Sequence, residues 1–534
     1  MAISAEVSGP DFSKGVSVEL IAEGESILGH VGDKAILLSK IEDQFYAIGA
    51  HCTHYGGPLN EGLITGETVH CPWHHAVFSL KTGEALKAPA LTPVSCWSIE
   101  VRDDKVFVTG KRKAAVEPRA GTEKQQFVIV GGGAAGTAAA VMLRRKGFLG
   151  SIHLLSEDEA LPYDRTNLSK DYLAGNAPEE WIPLWGQEFY RKHDIKLELN
   201  AKVMKIDGHR KHLFLADGRS LKFDKCLIAT GGTPVKPPIP GIEQDHVYML
   251  RSLKDCRHII DRTSWAQKVA FIGSGFIALE AAAALRARNL EVHIVAPEDL
   301  PLIKVVGVHV GSYLKKLHEE HGVHFHLGHG IKEIRARSIV LDDKTSVACD
   351  FVIVGAGVRP NTLLAEQAGC KVDKGVLVDE YLETSVPGIY AAGDIARWPD
   401  PHSNKHIRVE HWEVAERQGQ IAALNMLGDG VKFQEVPFFW TQHYDTSLGY
   451  VGNGGDFDRM EVFGDLGKND FAVAFYDDER VAALLTVGRD RESLLIEDAI
   501  THFDNKKVQE TLLDYERRLH SKHTPTPNYF EPSP

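Results

Sequence analysis

The chain is poor in cysteine, has no long apolar run and carries no basic excess, and each shortage removes a class of function. Seven cysteines in 534 residues are too few for a disulfide framework. Five of them, Cys96, Cys226, Cys256, Cys349 and Cys370, lack ligand-like spacing and read as buried, inert thiols. No apolar stretch approaches the roughly 20 residues needed to cross a bilayer, so no membrane span is expected. A net charge of −13 argues against a nucleic-acid partner, which calls for basic residues gathered on one face. The opening MAISAEVSGPDFSKGVSVEL has neither the basic start and apolar core of a secretory signal nor the Arg- and Ser-rich character of a transit peptide, so a cytoplasmic location is expected. A single hydrophobic core stops growing near about 250–300 residues, so several domains are expected.

What is present divides along the chain. From about Val16 to Val108, short strands are broken by Gly and Pro (AILLSKIEDQFYAIG, AVFSL, WSIEVRDDKVFVTG), the pattern of a small all-β domain, assigned to 1–110. Residues 111–126 (KRKAAVEPRAGTEKQQ) have no periodicity and read as a linker. At Phe127 the pattern becomes strand, Gly-rich turn and Ala-rich helix (FVIVGGGAAGTAAAVMLRRKG), and it recurs at Val269 (VAFIGSGFIALEAAAALRARN). Strands alternating with helices give parallel sheets covered on both faces. The expectation is α/β with two Rossmann-like dinucleotide-binding folds, the first over 127–255 and 381–430, the second over 256–380. From 431 to 534, strands such as FAVAFYDD and RVAALLTVG precede an amphipathic helix near Glu492–Phe503, as in a C-terminal α+β domain, and HTPTPNYFEPSP forms a Pro-rich tail.

Two short motifs carry metal chemistry: Cys52-Thr53-His54, followed by Gly56-Gly57-Pro58, and Cys71-Pro72-Trp73-His74. This pairing of CxH with CxxH closely resembles the Rieske [2Fe-2S] family, in which two thiolates hold one iron and two imidazoles the other. The rival is structural zinc, which more often uses CxxC pairs or a helical HxxxH. The resemblance makes Cys52, His54, Cys71 and His74 the ligands and leaves His51 and His75 as bystanders. Where the respiratory branch of the family has an extra Cys pair, a Ser and a Tyr, this chain has Gly57, Trp73, Ala76 and Phe78. Without hydrogen bonds from such hydroxyls to sulfur, the potential should fall toward the low end of the Rieske span of roughly −150 to +300 mV.

Gly131, Gly133 and Gly136 stand where one strand hands over to a helix, with Glu157 after the next strand; Gly273, Gly275 and Ala278 repeat the device, with Glu298 in the matching place. Such glycines let the backbone approach a pyrophosphate at a helix N-terminus, and the acid accepts the ribose hydroxyls. Together with PYDRTNLSK, ATGG, VGAGVRPN and SVPGIYAAGD, the two folds resemble the pyridine-nucleotide-dependent flavoprotein reductases. Within them the likeness is to oxygenase-coupled ferredoxin reductases and apoptosis-inducing-factor-like proteins. The resemblance implies FAD in the first fold, with Glu157 at its ribose, Asp394 at its ribityl chain and Thr230, Gly231 and Gly357 in its turns. NAD(P)H falls to the second fold. Lys170, paired with Glu280, is implied beside the flavin N5, with Arg165, Trp412 and Trp440 lining the pocket. Disulfide reductases of this superfamily carry a redox Cys pair after the first glycine turn, and this chain has none between Gly136 and Leu221, so the cluster becomes the natural outlet.

The His-rich stretch LHEEHGVHFHLGHG, with His318, His321, His324, His326 and His329, tempts a metal reading. It is better explained as a strand with Val323, Phe325 and Leu327 inward and two histidines outward at period two. The expectation is an enzyme, monomeric or homodimeric, that takes hydride from NADH in preference to NADPH. It passes electrons through FAD and the cluster, singly, to an acceptor protein or small molecule such as an oxygenase component, cytochrome or ferredoxin. Glu298, with no Arg nearby, motivates the NADH preference. The rivals are a redox-controlled signalling protein with incidental NADH oxidation, and a Rieske domain that only docks partners.

Overall fold

The computed structural model of the protein describes residues 8–112, 116–455 and 457–520. Its N-terminal domain is all β. A six-stranded antiparallel sheet built around Lys34–Ile41, Gln44–Gly49 and Cys96–Arg102 packs with a four-stranded sheet running from Leu63–Thr65 to Ala85–Lys87. The loops that carry Cys52 and Cys71 stand at one end of the smaller sheet, their backbones closed by Cys52 N–H to Gly57 O and Cys71 N–H to Ala76 O, both 2.8 Å.

Over residues 116–125 the expected linker has turns but neither helix nor strand, and it is anchored. Arg119 makes two parallel hydrogen bonds to the carboxylate of Asp429, at 2.7 and 2.8 Å, and its N–H donates to Gly147 O. The segment therefore lies along the first nucleotide domain.

That domain holds a parallel five-stranded sheet in the order Ile195–Glu198, Ser151–Leu155, Gln126–Val130, Lys225–Ile228, Ile389–Ala391. The second sheet, also parallel, runs Val247–Met249, Phe351–Val354, Lys268–Ile272, Glu291–Ala296, Val323–Leu327. Central strands such as Phe127–Val130 and Phe351–Val354 are buried throughout, as unbroken apolar runs covered on both faces must be. The second sheet takes its first strand from Val247–Met249, before the expected boundary at 256. The chain returns at Val358–Pro360, which pairs with Gly232–Pro234, before 380. Three-residue strands bounded by loops give no periodicity from which to place those crossings.

The C-terminal domain is an antiparallel sheet in the order Phe438–His443, Thr446–Gly452, Arg480–Val487, Asp470–Asp477, Arg459–Asp465, covered by helices Asp490–Thr501 and Asn505–His520. The Pro-rich tail lies outside the described residues. Among those residues no helix is long and apolar enough to cross a membrane.

Candidate functional site

Each nucleotide turn begins on a buried strand and ends in a helix whose first N–H groups have no side-chain cap. Gly131 (φ 118°) and Gly273 (φ 100°) make the turns, and helices Ala134–Arg145 and Phe276–Ala287 follow from Gly133 and Gly275. A Cβ on Gly131 would meet Ala229 O at 2.1 Å and one on Gly136 would meet Gly131 O at 1.9 Å, so only glycine fits. The open amides and the helix dipole suit an anion such as a pyrophosphate.

Both turns open on one cavity of about 1540 Å³. Of the residues named from sequence, it is lined by Gly131, Gly133, Glu157, Arg165, Lys170, Thr230, Gly231, Gly275, Ala278, Glu280, Gly357, Asp394, Trp412 and Trp440. Gly136 and Gly273 lie behind it as packing and turn residues. Glu298 is outside it, with Lys304 Nζ 3.2 Å from its carboxylate. Glu157 stands at the rim, 68% exposed and paired with Lys202 at 2.6 Å. Arg165 sits over the Tyr163 ring. Thr230 and Asn361 tie the two halves together, the Thr230 hydroxyl donating to Asn361 O and the Asn361 amide to Thr230 O. Gly231 (φ 62°) and Gly357 (φ 94°) turn the chain beside them.

Lys170 and Glu280 meet at 2.9 Å, and Glu280 is only 3% exposed. Its other contacts are hydroxyls: Ser169 donates to Oε2 at 2.5 Å and Thr441 to Oε1 at 2.6 Å. A buried carboxylate satisfied on both oxygens is affordable in a way that a bare one is not. Asp394 is buried, receives the guanidinium of Arg251, and its carbonyl accepts from Arg408. Sequence reasoning missed Arg251, and no local signal marks it. Burial pushes His411, next to Trp412, down to about 4.

The cysteine–histidine loops bring their four side chains together in two pairs. Cys52 and Cys71 are 4% and 1% exposed; the neighbouring sulfur holds the Cys52 thiol low and, together with burial, pushes the Cys71 thiol up. His54 Nδ1 and His74 Nδ1 are 3.1 Å apart, a spacing that asks for a shared proton or a shared cation. A Cβ on Gly57 would lie 2.7 Å from Cys71 Sγ, so this glycine makes room for the sulfur. Ala76 and Phe78, both fully buried, present no polar side-chain atom. Among the described residues the only His, Cys, Asp or Glu trio with donor atoms all within 4.8 Å is His329, Asp342 and Asp343. No three donors of the Cys52, His54, Cys71, His74 set are that close, whereas a tetrahedral zinc with bonds of about 2.0–2.3 Å would gather all four. Two separated donor pairs, sulfur and nitrogen, fit a two-iron cluster.

The histidine pair lies against a residue of the cavity lining. The His74 ring centroid is 4.1 Å and that of His54 5.9 Å from Trp440, which lines the cavity. Tyr55 stacks on His54 at 4.0 Å, donates its hydroxyl to Asp164 and accepts from Asn167 at 2.8 Å. His75 is more than a bystander: fully buried, it stacks on Phe438 at 3.8 Å and hydrogen-bonds Glu497. Arg417, 2% exposed, bonds His75 O at 3.2 Å and joins Glu413, Glu435 and Glu497 in one buried ionic group. These contacts fasten the N-terminal domain to the other two.

The His-rich stretch is split. His318 is buried inside helix Ile303–Glu320; strand Val323–Leu327 forms as expected, with His324 exposed. His326 departs from the outward reading, being half-buried with Nε2 3.1 Å from His293 Nδ1. His329 stands half-exposed beside exposed Asp342 and Asp343.

The pyridine nucleotide-disulphide oxidoreductase family matches residues 125–419, the Rieske [2Fe-2S] domain residues 15–98 and the reductase C-terminal domain residues 438–521. Apoptosis-inducing factor 3 of Homo sapiens is 32% identical over 85% of this chain and 78% of its own length. The ferredoxin–NAD(+) reductase component of the anthranilate 1,2-dioxygenase system of Burkholderia cepacia is 35% identical over 68% of this chain and 91% of its own. Among solved structures, the covalent putidaredoxin reductase–putidaredoxin complex superposes with a TM-score of 0.70 at 30% identity, over 74% of this chain and 99% of that one.

Proposed function

Since the chain belongs to the pyridine nucleotide-disulphide oxidoreductase family, joined to a Rieske [2Fe-2S] domain and a reductase C-terminal domain, we propose that it carries electrons from NAD(P)H across its own domain junction to the cluster and then singly to a separate acceptor. It is an NAD(P)H-dependent oxidoreductase using FAD and a [2Fe-2S] cluster. When bound, FAD supplies hydride acceptance with one-electron release, and the cluster supplies one-electron storage.

The residues divide the work. The turns at Gly131, Gly133 and Gly136, and at Gly273, Gly275 and Ala278, would bind the two pyrophosphates. Glu157 would take the flavin ribose and Asp394 its ribityl chain. Glu280 holds the Lys170 ammonium inside the cavity, where it would favour negative charge on a bound flavin. Cys52 and Cys71 would hold one iron, His54 and His74 the other. Trp440 packs between the histidines and the cavity and excludes water there.

That position of Trp440 carries the reading, because one side chain both lines the cavity and packs on the His74 ring, with centroids 4.1 Å apart. Anaerobic stopped-flow with NADH tests it, with flavin bleaching and cluster reduction followed separately. Bleaching followed by cluster reduction is expected; a bleached flavin beside a cluster that stays oxidised would leave the Rieske domain as a docking module. Metal analysis should give about two iron and one FAD per chain, and zinc in place of iron would overturn the ligand assignment. For the acceptor, the named systems of the relatives favour a further ferredoxin or an oxygenase component.

A further inference from the structure

A hydride carries two electrons and one proton, whereas a one-electron acceptor takes electrons alone. The balance is NAD(P)H plus two oxidised acceptors giving NAD(P)+, two reduced acceptors and one H+. One proton per nicotinamide must leave the cavity, and Glu280, the carboxylate at its Lys170 end, is itself buried.

A continuous line of exchangeable groups runs from that cavity. Thr441 Oγ1 is 2.6 Å from Glu280 Oε1 and 3.1 Å from His443 Nε2. His443 Nδ1 is 3.2 Å from His318 Nε2, and His318 Nδ1 is 3.2 Å from the hydroxyl of Tyr444. Thr441, His443 and His318 are 1%, 0% and 0% exposed. Tyr444 is half-buried and stacks at 3.7 Å on the exposed His321. The line thus starts at the Lys170–Glu280 pair and ends at the surface.

The contacts admit one head-to-tail assignment. With both imidazoles as Nε2–H tautomers, Tyr444 donates to His318, His318 to His443, His443 to Thr441 and Thr441 to Glu280, and no position is left with two donors or two acceptors facing. Burial holds both imidazoles neutral, His443 down to about 3, and a neutral ring with one N–H and one free lone pair is the form that relays. Protonation of Glu280 turns its end from acceptor to donor. The same contacts then take the opposite sense, Glu280 donating to Thr441, Thr441 to His443 Nε2, His443 Nδ1–H to His318 Nε2 and His318 Nδ1–H to Tyr444; one proton passed on at each contact leaves Glu280 ionised, releases one proton from the Tyr444 hydroxyl to water and ends with both rings as Nε2–H tautomers. A buried histidine pair with only structural duty would not need to link an ion pair in the cavity to a surface tyrosine.

We infer that Glu280, Thr441, His443, His318 and Tyr444 form a proton path by which the hydride-derived proton leaves the cavity. The inference rests on the reading that hydride enters this cavity. The holoprotein, reduced with NADH, is mixed anaerobically with ferricyanide in weak buffer containing a pH-indicator dye, so that flavin reoxidation and proton release appear in one trace. In the wild type they should coincide. In His443→Gln both should slow by about tenfold or more, in the range expected when a positioned proton-transfer group is lost, with a larger solvent deuterium effect. NADH-driven bleaching, which sends no proton along this path, is the internal control. Tyr444→Phe, a conservative change at a half-buried site, should slow release in the same direction and answers the question if His443→Gln folds poorly. Nitrogen-15 NMR of labelled histidines, without turnover, should show His318 and His443 neutral and Nε2-protonated. Wild-type proton release in both variants, or the other tautomers, would overturn the path. Failure of NADH to bleach the wild type would instead strike the functional reading.

Discussion

Strand Phe438–His443 has two faces, and they handle different particles. Phe438 and Trp440 turn toward the N-terminal domain and lie against His75 and His74. Phe439, Thr441 and His443 turn the other way, to Phe276, Glu280 and His318. The period-two pleat of a strand produces this division. Aromatic contact suffices for electrons, since no atom has to move; protons need a file of O–H and N–H groups. Because a one-residue slip would exchange the faces, the register with Thr446–Gly452, Phe438 opposite Val451 and His443 opposite Thr446, is a functional quantity.

The largest effect should come from breaking the N-terminal side of the comparison. Arg417 is the cation among Glu413, Glu435 and Glu497 and also holds His75 O. In Arg417→Met the buried Glu413 loses its cation, while Glu435 keeps Lys87 at 2.8 Å and Glu497 keeps His75; leaving one buried carboxylate unpaired should cost about 3–5 kcal/mol. Urea unfolding of the holoprotein, followed by cluster absorbance, measures it. An unchanged midpoint would mean the junction is held elsewhere.

Next in size is Trp440→Leu, which opens a gap on the electron face and leaves Thr441 and His443 in register. Cluster reduction should fall further behind than flavin bleaching does, while proton release keeps pace with reoxidation. Equal slowing of all three signals would show that the two faces are not separable.

How much of this could be read from sequence depends on the reach of the signal. The glycine turns and the cysteine–histidine loops are set by spacing within a few residues, and the structure has Gly131 and Gly273 at positive φ and His54 and His74 3.1 Å apart. The Lys170–Glu280 contact spans 110 residues and needed the family resemblance. Arg251 with Asp394, 143 residues apart, and His75 with Glu497, 422 apart, had no local mark, since such pairs are chosen by tertiary packing. His318 did leave a trace: Val310, Leu314 and His318 repeat every four residues and are each 0% exposed, so the histidine lies on the buried stripe of a helix. The crowding of histidines around it drew attention to the strand instead.

A smaller, pH-dependent effect is expected at Glu416. It is 1% exposed, with Oε2 unpartnered, and burial together with the nearby Asp164 pushes its carboxyl well above the usual range. Since the folded value is the raised one, its contribution to stability is complete below the unfolded value and is lost as pH rises toward the folded one. The slope there is at most about 1.4 kcal/mol per pH unit. Glu416→Gln should remove that slope, so the variant gains on the wild type at alkaline pH. Parallel curves for the two proteins would show that Glu416 is ionised in the fold.

The smallest effect is at the nicotinamide, where exchange of the donor should leave both faces of the strand untouched. Glu298 follows strand Glu291–Ala296, where a ribose acceptor is needed, and a 2′-phosphate there would meet its carboxylate. The preference for NADH depends on that repulsion. Lys304, 81% exposed, already pairs with Glu298 at 3.2 Å and softens the field, and an exposed pair is screened by solvent. The discrimination should therefore be about 1 kcal/mol, roughly fivefold in kcat/KM, near the low end for a charged contact. Glu298→Arg should reverse it, since a guanidinium fork suits a phosphate. Steady-state kinetics with each nucleotide and a one-electron dye measures the change, and the ratio of cluster reduction to flavin bleaching should stay constant throughout. A wild type that prefers NADPH, or a variant without a shift, would move the specificity contact away from Glu298; a change in that ratio would mean that the donor site and the Trp440 junction are coupled.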